Sequence, residues 1–563
     1  MEDNSVDQNR RDVVKLIGGA STVGATAIAG CSGVEEEEEN GEPVDTDDDE
    51  STASEGVSRG GNLEVAIASD PPAAFHPHFI RSAQGVIMAR TYASSLFIPN
   101  PDGTLEPQIA SSIDESPDAT EFVVTIRDDI TFHAPYDRQL TAADVVENFH
   151  RILDPEYGSP DRDDFVGFLA GDDIDPEDTV RETGEFEVTF ELENPFADFV
   201  DSLSGIFIVP MEAVDEHGDD FGTMDTGTWA AGPFQFDEGS GQDFYAFERF
   251  EDYFEQDEDG ESLPYVDSVT FNIVPEGGVR STQLETGEAH IIDSVPPRDT
   301  EELEADSNIQ IESISSVTRA CHFINQANHE SFQKQEVRQA LMHAIDREAI
   351  IDIAYNGFAE PGWGVFPPWH WAHDEDATQT YPHDPERAQE LLEEAGETDL
   401  SFECLVPNES PFTDIATIVQ QNYESVGIDM EINTMEEAAV WDPVLGLWGN
   451  EPPGPSPDEF ESNIQTLSVE TYADSFAFWK YHSGDFLNVT YYDQSDDVIQ
   501  AARETTDRDE RRELYAQLER EVTEYVDRIA LVWPDVIHAH RTEVHNYEPH
   551  PNGRVIVKDV WVE

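Results

Sequence analysis

Basic residues are scarce in this chain of 563 residues. Lysine and arginine together number 29 against 123 aspartates and glutamates, which gives a formal net charge of −94, and only four of the 29 are lysines. This charge excludes nucleic acid as a partner, because its phosphates attract cationic surfaces and repel acidic ones. The carboxylates also repel one another unless salt screens them, and molar salt shortens the Debye length to about 3 Å. We therefore expect a halophilic protein, of archaeal source given the export signal described below.

Cysteine is also rare, with three residues in the chain. Cys321 and Cys404 both lie in apolar runs that are typical of β-strands. We interpret them as two separate buried thiols. A disulfide between them would need Cα atoms within about 7 Å, a distance on which the sequence is silent. No cysteine spacing indicates a metal site, and we expect no cofactor.

Long hydrophobic runs are missing from the body of the chain, so we expect no membrane-spanning helix there. At the start, Arg10-Arg11 precedes a short, weakly apolar stretch that ends in Ile28-Ala29-Gly30-Cys31. This order resembles a twin-arginine export signal followed by a lipobox, in which a peptidase cuts before the cysteine and the thiol takes a lipid. We therefore interpret residues 1–30 as the signal of a lipoprotein. Cys31 is the predicted lipidation site, which anchors the exported protein to the outer face of the cell membrane.

Residues 31–57 form an acidic segment without aromatic residues, in which carboxylates cluster at 35–39 and 45–50. Such a composition buries too little apolar surface to offset the entropy lost on ordering, so it predicts disorder. About 25 flexible residues span roughly 25–30 Å. We interpret the segment as a tether that holds a folded body away from the membrane.

Strands and helices alternate along the body. Residues 269–274 alternate as a strand does, residues 277–285 have helical spacing with Gly287 as the expected C-cap, and residues 290–293 return to a strand. Residues 384–396 have an aspartate at the N-cap, proline at the first helical position and glycine just past the end. Alternation over some 500 residues predicts an α/β fold with mainly parallel strand pairing.

Several segments, taken in order, resemble one protein family. Each is weak alone, but seven or more over some 450 residues are specific. On these motifs the body resembles the large extracytoplasmic solute-binding proteins of ABC importers, family 5, the group that covers dipeptide, oligopeptide and nickel binders. The main matching segments are Leu140-Thr141-Ala142-Ala143-Asp144-Val145, Ala231-Gly232-Pro233-Phe234, Val337-Arg338-Gln339-Ala340-Leu341, Ala344-Ile345-Asp346-Arg347, residues 388–396 and Arg511-Arg512-Glu513-Leu514-Tyr515.

The resemblance implies a two-lobe fold of the periplasmic-binding-protein type II, with an extra subdomain in the first lobe and a cleft between the lobes. Residues 58–316 are then expected to form lobe I, including the extra subdomain at about 95–190. Residues 317–532 are expected to form lobe II, and residues 533–563 to return to lobe I. The chain would cross from lobe I to lobe II near residues 316–319 and would return near residues 533–534.

The resemblance also implies a function. The chain would be the substrate-binding component of an ABC importer, which captures a small organic, peptide-like solute in the cleft and delivers it to a membrane permease and its ATPase. We expect a monomer that its lipid keeps at the membrane. The sequence contains no nucleophile elbow, phosphate loop or zinc-protease helix, so we do not expect an enzyme.

The candidate ligand site centres on Thr471, Tyr472 and Asp474. In peptide-binding relatives the corresponding stretch carries an aspartate that pairs with the peptide's α-ammonium, and Thr471 stands in its place here. We therefore expect Asp474 to be the anchor and Tyr472 to be a flat wall of the site. Other candidates on polar or proline-marked loops are Asp70, Trp229, Trp363 and Trp448.

Two other classes of function stay open. A nickel or metal-chelate binder of the same family would use histidines, and His538 and His540 should point the same way if they lie on one strand. The second alternative is an extracytoplasmic enzyme, for which the sequence offers no recognisable set of catalytic residues. The histidines that could bind a metal are His370, His373, His383, His538, His540, His545 and His550.

Overall fold

The computed structural model describes residues 57–70, 76–80, 83–101, 103–159, 162, 165, 176–223, 226–241, 243–445, 460–485, 488, 490 and 492–563. The compact unit that contains them runs from Val57 to Glu563. The predicted signal, tether and lipidation site at Cys31 lie outside the described residues, as does Trp448.

Strands account for most of the framework. In chain order, β1 to β20 are Asn62–Ile67, Phe97–Pro99, Leu105–Pro107, Ala110–Glu115, Glu121–Ile126, Val180–Gly184, Glu187–Glu191, Phe234–Ser240, Phe244–Arg249, Ser268–Ile273, Ile291–Ile292, Ile309–Ser315, Arg319–Ile324, Ala359–Pro361, Ser401–Pro407, Asp429–Met435, Ser462–Leu467, Ile529–Arg541, Val544–His545 and Trp561–Val562.

The α-helices lie between these strands. In chain order, α1 to α15 are Ala83–Tyr92, Ala142–Leu153, Pro176–Thr179, Phe199–Ser202, Met211–His217, Gly277–Thr286, Thr300–Glu304, Gln335–Ala344, Arg347–Ala354, Pro385–Ala395, Phe412–Ser425, Glu437–Leu445, Ala473–Tyr481, Asp496–Glu504 and Arg508–Tyr525. In the described part of the chain, none of the helices is both long and apolar enough to cross a membrane.

One large sheet of twelve strands joins two halves, in the order β16-β15-β17-β13-β18-β11-β1-β10-β9-β8, with β12 and β14 also paired to β18. We call the part built on β1 and β8–β12 the first lobe, and the part built on β13–β17 the second lobe. Among the described strands, parallel pairing is confined to β1 with β10 and β11, and to β15 with β16 and β17. The prediction of mainly parallel pairing is therefore wrong. Alternation of strands and helices does not report strand direction, and short connections such as that between β8 and β9 force antiparallel neighbours.

Strand β18 runs through both lobes. Residues 535–541 pair with β12 in the first lobe, whereas Ile529, Ala530 and Val532 pair with β13 in the second. The change of partner falls at residues 533–534, opposite the segment 316–318 that joins β12 to β13. Ser316 Oγ donates a hydrogen bond of 2.5 Å to Pro534 O, which ties these two crossings together.

A second sheet, β4-β5-β7-β6, is antiparallel and covers helix α2. Phe122, Val124, Phe149 and Phe190 are at most 2% exposed and form the centre of its hydrophobic core. This core is separate from the one beneath β1 and β10, as an extra subdomain requires. The strands of the second sheet fall between residues 110 and 191.

Local signals in the sequence place several boundaries correctly. Asp144 Oδ2 accepts a hydrogen bond of 2.9 Å from the backbone N–H of Thr141 at the start of α2. Asp384 caps the start of α10, and Gly396 at its end has a left-handed φ of 74°. Gly232 has another role, since a Cβ there would lie 2.3 Å from the backbone carbonyl carbon of Tyr92. The motif glycine therefore permits close approach of two backbone segments.

Cys321 and Cys404 are buried free thiols, as the composition indicated. Cys321 lies on β13 and Cys404 on β15, and strand β17 separates them. Two strand spacings amount to about 9.6 Å, which exceeds the Cα distance that a disulfide bridges.

Candidate functional site

The candidate segment follows strand β17 and leads into helix α13, on the side of the second lobe that faces the first. The carbonyl oxygen of Thr471 accepts a hydrogen bond from His370 Nε2 at 3.1 Å. The other ring nitrogen, Nδ1, accepts from the backbone N–H of Ala372. Burial lowers the pKa of His370 to about 3, so the ring is neutral and its proton lies on Nε2. His370 thus positions the Thr471 segment.

Asp474 lies at the first turn of α13 and is 2% exposed. Its Oδ1 is 3.0 Å from Arg503 Nε, and its backbone N–H donates to Asp198 Oδ2 at 2.8 Å. Burial raises the pKa of Asp474 to about 6 although the Arg503 charge opposes this. The carboxylate that the sequence singles out as a ligand anchor therefore has an internal cationic partner in this structure.

Asp198 connects the two lobes. It precedes helix α4, whose Phe199 belongs to the hydrophobic core of the extra subdomain. Asp198 Oδ1 accepts a hydrogen bond of 2.5 Å from Arg511 Nη2 on α15, and the neighbouring Ala197 N–H donates to Arg503 O at 2.8 Å. We call the contacts of Asp198 with Asp474 and Arg511 the Asp198 bridge.

Asp201 lies one helical turn from Asp198. Burial, together with the Asp198 charge, raises the pKa of Asp201 to about 8. Asp201 is therefore largely protonated at neutral pH. Asp198 is the carboxyl group of these two that faces Arg511.

A second ion pair joins the lobes through the C-terminal segment. Glu470 Oε1 is 2.5 Å from Arg554 Nη2, and the residue after Arg554, Val555, is 1% exposed in the core of the first lobe. Arg90 on α1 is close to both charged groups. Burial lowers the pKa of Arg90 to about 9, and the positive charge of Arg554 contributes to this shift. Like the Asp198 bridge, this pair can form only while the lobes are in contact.

The tryptophans of the proline-marked loop divide into two groups. Trp369 Nε1 donates a hydrogen bond to Ser316 O, where the chain crosses between the lobes. The ring of Trp371 packs against Arg508, whose Cζ lies 4.7 Å from the ring centroid. Trp363, which we expected in the site, instead packs against the core of the second lobe, with the Arg347 guanidinium 4.0 Å from its ring centroid.

Asp70 and Trp229 lie in the first lobe. Tyr245 Oη donates to Asp70 Oδ1 at 2.7 Å, and Trp229 stacks on His217 with ring centroids 4.8 Å apart. Tyr472 is half-buried, with its ring 5.9 Å from that of Trp479.

Two buried side-chain amides point to a polar site in the second lobe. Asn463 and Gln465 on β17 are 0% exposed, and none of their four amide atoms has a hydrogen-bond partner among the described residues. Their register places them opposite Phe323 and Cys321 on β13. Strand β17 leads directly to the Thr471 segment, so these amides could serve a solute with amide-like donors and acceptors.

Sequence reasoning missed Asp198, Arg503 and Arg511 as a connected group. One available signal was the scarcity of basic residues, which makes each arginine beside an acidic motif informative. Another was the spacing of Asn463 and Gln465, two amide side chains that lie two residues apart and therefore on the same face of a strand.

The histidines do not converge. Among the described residues, no group of three or more histidines, cysteines, aspartates or glutamates could hold a metal ion. His538 and His540 do share one face of β18, since both rings contact Tyr547 with centroids 6.1 and 5.6 Å away. His373 instead pairs with Glu519 at 3.1 Å.

Comparison with known proteins identifies relatives. A family model described as "Bacterial extracellular solute-binding proteins, family 5 Middle" matches residues 104–464. The glutathione-binding protein GsiB of Escherichia coli (strain K12) is 28% identical over 353 residues, which cover 62% of this chain and 65% of that protein. GsiB of Salmonella typhimurium is 27% identical over the same length. The matches thus span just under two thirds of these relatives.

Solved structures share the fold across nearly the whole described body. The Helicobacter pylori periplasmic binding protein DppA in complex with the peptide STSA has a TM-score of 0.75 at 21% identity, covering 90% of this chain and 99% of that one. The oligopeptide-binding protein AppA of Bacillus subtilis, in complex with a nonapeptide, has a TM-score of 0.75 at 22% identity, covering 90% and 100%. NikA of Staphylococcus aureus in complex with Ni(L-His)2 has a TM-score of 0.71 at 19% identity, covering 90% and 100%.

Proposed function

Because the chain belongs to family 5 of the bacterial extracellular solute-binding proteins, we propose that it is the substrate-binding component of an ABC importer. Its solute would bind between the lobes and be delivered to a membrane permease driven by an ATPase. The observation that carries this proposal is the Asp198 bridge, in which one carboxylate of the first lobe accepts from the backbone of Asp474 and from Arg511 of the second. Such contacts form on closure and break on opening, as in hinged binding proteins.

We further propose a small, peptide-like solute. Sequence relatives are named for glutathione, and fold relatives hold peptides. The buried amides of Asn463 and Gln465 support this class, because peptide groups supply both the donors and the acceptors that carboxamides need. Thr471 replaces the aspartate that pairs with a peptide ammonium in relatives, and Asp474 already faces Arg503. Recognition would then rest on amide groups, with Tyr472 as a wall.

Thermal unfolding with added solutes tests the proposal. Glutathione, a mixture of di- to tetrapeptides and Ni²⁺ with L-histidine are the probes, and a bound solute at 100 times its Kd adds about 2.7 kcal/mol to the free energy of unfolding. Stabilisation by a peptide or by glutathione supports the proposal. Stabilisation by the nickel complex alone would favour the metal-chelate alternative, and no shift with any probe would contradict a peptide-like solute.

The double variant Asn463→Leu with Gln465→Met tests the amides. Each unsatisfied buried polar group costs about 1–3 kcal/mol, so the empty variant should unfold at the same temperature or a higher one, while solute-dependent stabilisation is lost. The matched control is Gln310→Met, which changes an exposed amide of the first lobe and should leave both properties unchanged. A destabilised empty variant would instead show that the amides hold the sheet together.

We also propose that the protein is an exported monomer that a lipid on Cys31 anchors to the membrane through the acidic tether of residues 31–57. The order of paired arginines, apolar stretch and lipobox supports this. In the Cys31→Ser variant the protein should leave the membrane fraction or remain unprocessed. Unchanged membrane association of that variant would contradict the anchor.

A further inference from the structure

A small cavity lies in the second lobe. It is bounded by the end of helix α15 and the start of strand β18, and its volume of about 10 Å³ leaves room for one water-sized sphere. Three of its lining residues, Arg319, Asp527 and Arg528, carry charge, and Tyr481 adds a hydroxyl. The remaining wall is largely apolar, with Met342 and Trp363 among its members.

The two guanidinium groups are almost completely enclosed. Arg319 is 2% exposed and Arg528 is 3% exposed. Arg319 donates through Nη1 to Gly364 O and through Nη2 to Tyr481 Oη, but its Nε has no partner in the described part of the chain. Arg528 donates through Nε to Asp527 Oδ2 at 2.6 Å and through Nη2 to Lys480 O, but no described residue accepts from its Nη1. Each guanidinium thus retains one buried donor.

The charges around the cavity do not balance. Asp527 is the one carboxylate among the lining residues, and its Oδ2 accepts from Thr490 as well as from Arg528. Lys480 supplies no negative charge, and burial, together with the Arg319 charge, lowers its pKa well below the ordinary value. The two guanidiniums and one carboxylate therefore leave a net positive charge in an enclosed site, which is costly unless a counter-ion is present.

A nearby carboxylate does not supply that counter-charge. Glu519 is 0% exposed, and its carboxylate accepts from the Asp374 N–H and the Thr378 hydroxyl and pairs with His373. The Glu519 hydrogen bond raises the pKa of His373, which favours the protonated ring and pairs the Glu519 charge locally.

We propose that this cavity is an anion site that holds one chloride ion between the guanidinium groups of Arg319 and Arg528. The volume excludes carboxylates and oxyanions, which need space for three or more heavy atoms. The surrounding positive charge excludes a metal cation. A halide is only slightly larger than water, accepts several N–H and O–H donors at once, and neutralises the excess charge of the site. The site is independent of the solute and of the proposed import function.

Bromide locates the site directly in the native protein. In crystals of the full chain grown in potassium bromide, we expect a bromine anomalous peak in the cavity, within contact distance of Arg319 and Arg528. A cavity that contains water alone, or bromine peaks confined to surface arginines, would overturn the proposal.

A solution experiment separates specific binding from screening. Potassium chloride replaces potassium glutamate at constant total potassium concentration, and the midpoint of thermal unfolding is followed. We expect a saturable rise with chloride for the native protein, because glutamate is too large for the cavity. Identical midpoints in the two salts at every ratio would count against the site.

The variant Arg528→Gln removes one of the two cationic donors. Loss of a charge-assisted hydrogen bond should raise the half-saturating chloride concentration about ten-fold or more. The matched control is Arg298→Gln, which removes an exposed arginine of the first lobe and should keep the native chloride response. If Arg528→Gln does not fold, the bromide experiment on the native protein still decides the question.

Discussion

Several arginines of this chain act inside the protein, in positions that a lysine could not fill. Arg338 donates to the carbonyl oxygens of Tyr525 and Val526 at the end of α15, and Arg347 donates to Ala530 O. A planar guanidinium with five donors can satisfy several carbonyls at once, whereas a lysine ammonium cannot reproduce that geometry. The same property lets Arg511 reach across to Asp198.

Neutralising Asp198 should weaken solute binding. In Asp198→Asn the charge-assisted contact with Arg511 is lost, and such a bond contributes about 1.5–3 kcal/mol, or about ten-fold or more in Kd. The empty protein should lose little stability, because both groups gain water when the lobes separate. Isothermal titration with a solute that stabilises the native protein measures the change.

The neighbouring Asp201→Asn is the control for that variant. Since the pKa of Asp201 is raised to about 8, its side chain is largely neutral at pH 7 and the substitution alters little charge. Equal effects of the two variants on Kd would show that the Asp198 charge does not stabilise the closed state.

The pair of His373 and Glu519 should make stability depend on pH. The hydrogen bond that His373 Nδ1 donates to the Glu519 carboxylate raises the pKa of His373 above its ordinary value of 6.5, against the effect of burial. The stabilisation is therefore complete below pH 6.5 and is lost as pH rises through the raised pKa. The native protein should exceed His373→Gln in unfolding free energy by more at pH 5.5 than at pH 9. A difference independent of pH would contradict this assignment.

Helix α15 organises the second lobe because residues at its start, in its middle and at its end each contact a different part of the protein. Arg511 near its start reaches the first lobe, and Glu519 in its middle holds the tryptophan loop through the Asp374 N–H and the Thr378 hydroxyl. Arg338 covers the carbonyls at its end. A displacement of this helix would therefore move the contact between the lobes and the aromatic loop together.

The N-cap of α15 should contribute measurably to stability. Asp507 accepts hydrogen bonds from the backbone N–H groups of Asp509 and Glu510, so Asp507→Ala should lower the free energy of unfolding by about 1 kcal/mol. The control is Glu513→Ala, which removes the same charge from an exposed position within the helix. Denaturant unfolding of both variants measures the difference, and equal losses would mean that charge rather than capping is responsible.

At the scale of the whole molecule, strand β18 determines how the lobes are joined, and the high negative charge affects stability. Strand β18 belongs to both lobes, so the halves share a continuous backbone at residues 533–534 while side-chain contacts such as the Asp198 bridge can open. The formal charge of −94 lies on the same chain, so repulsion opposes the compact state wherever it is not screened.

Stability should therefore fall as salt is withdrawn. Between molar salt and 0.1 M, the Debye length grows from about 3 to about 10 Å, and carboxylates on neighbouring elements begin to repel one another. Circular dichroism should show lower midpoints and finally loss of cooperative unfolding. Potassium glutamate should substitute for potassium chloride in this general effect, in contrast to the chloride-specific term. Native-like cooperativity at 0.1 M salt would contradict the role of screening.

Sequence alone determined the α/β class, the type II two-lobe fold through its motifs, and local features such as the Thr141–Asp144 cap and Gly396. These depend on periodicity and on contacts between near neighbours, which a short window contains. The residues chosen for the ligand site remain predictions, and the structure brings together Thr471, Tyr472 and Asp474 but not Asp70, Trp229 or Trp363.

Only the tertiary structure decided strand direction, the separation of the two thiols and the partners of the charged groups. Asp198 is 276 residues from Asp474 and 313 residues from Arg511 along the chain, and no local pattern joins them. With 123 carboxylates present, any one of them could have paired with a given arginine on sequence grounds. Burial selects the pairs, because an enclosed charge is stable only beside its partner, and the fold determines which charges are enclosed together.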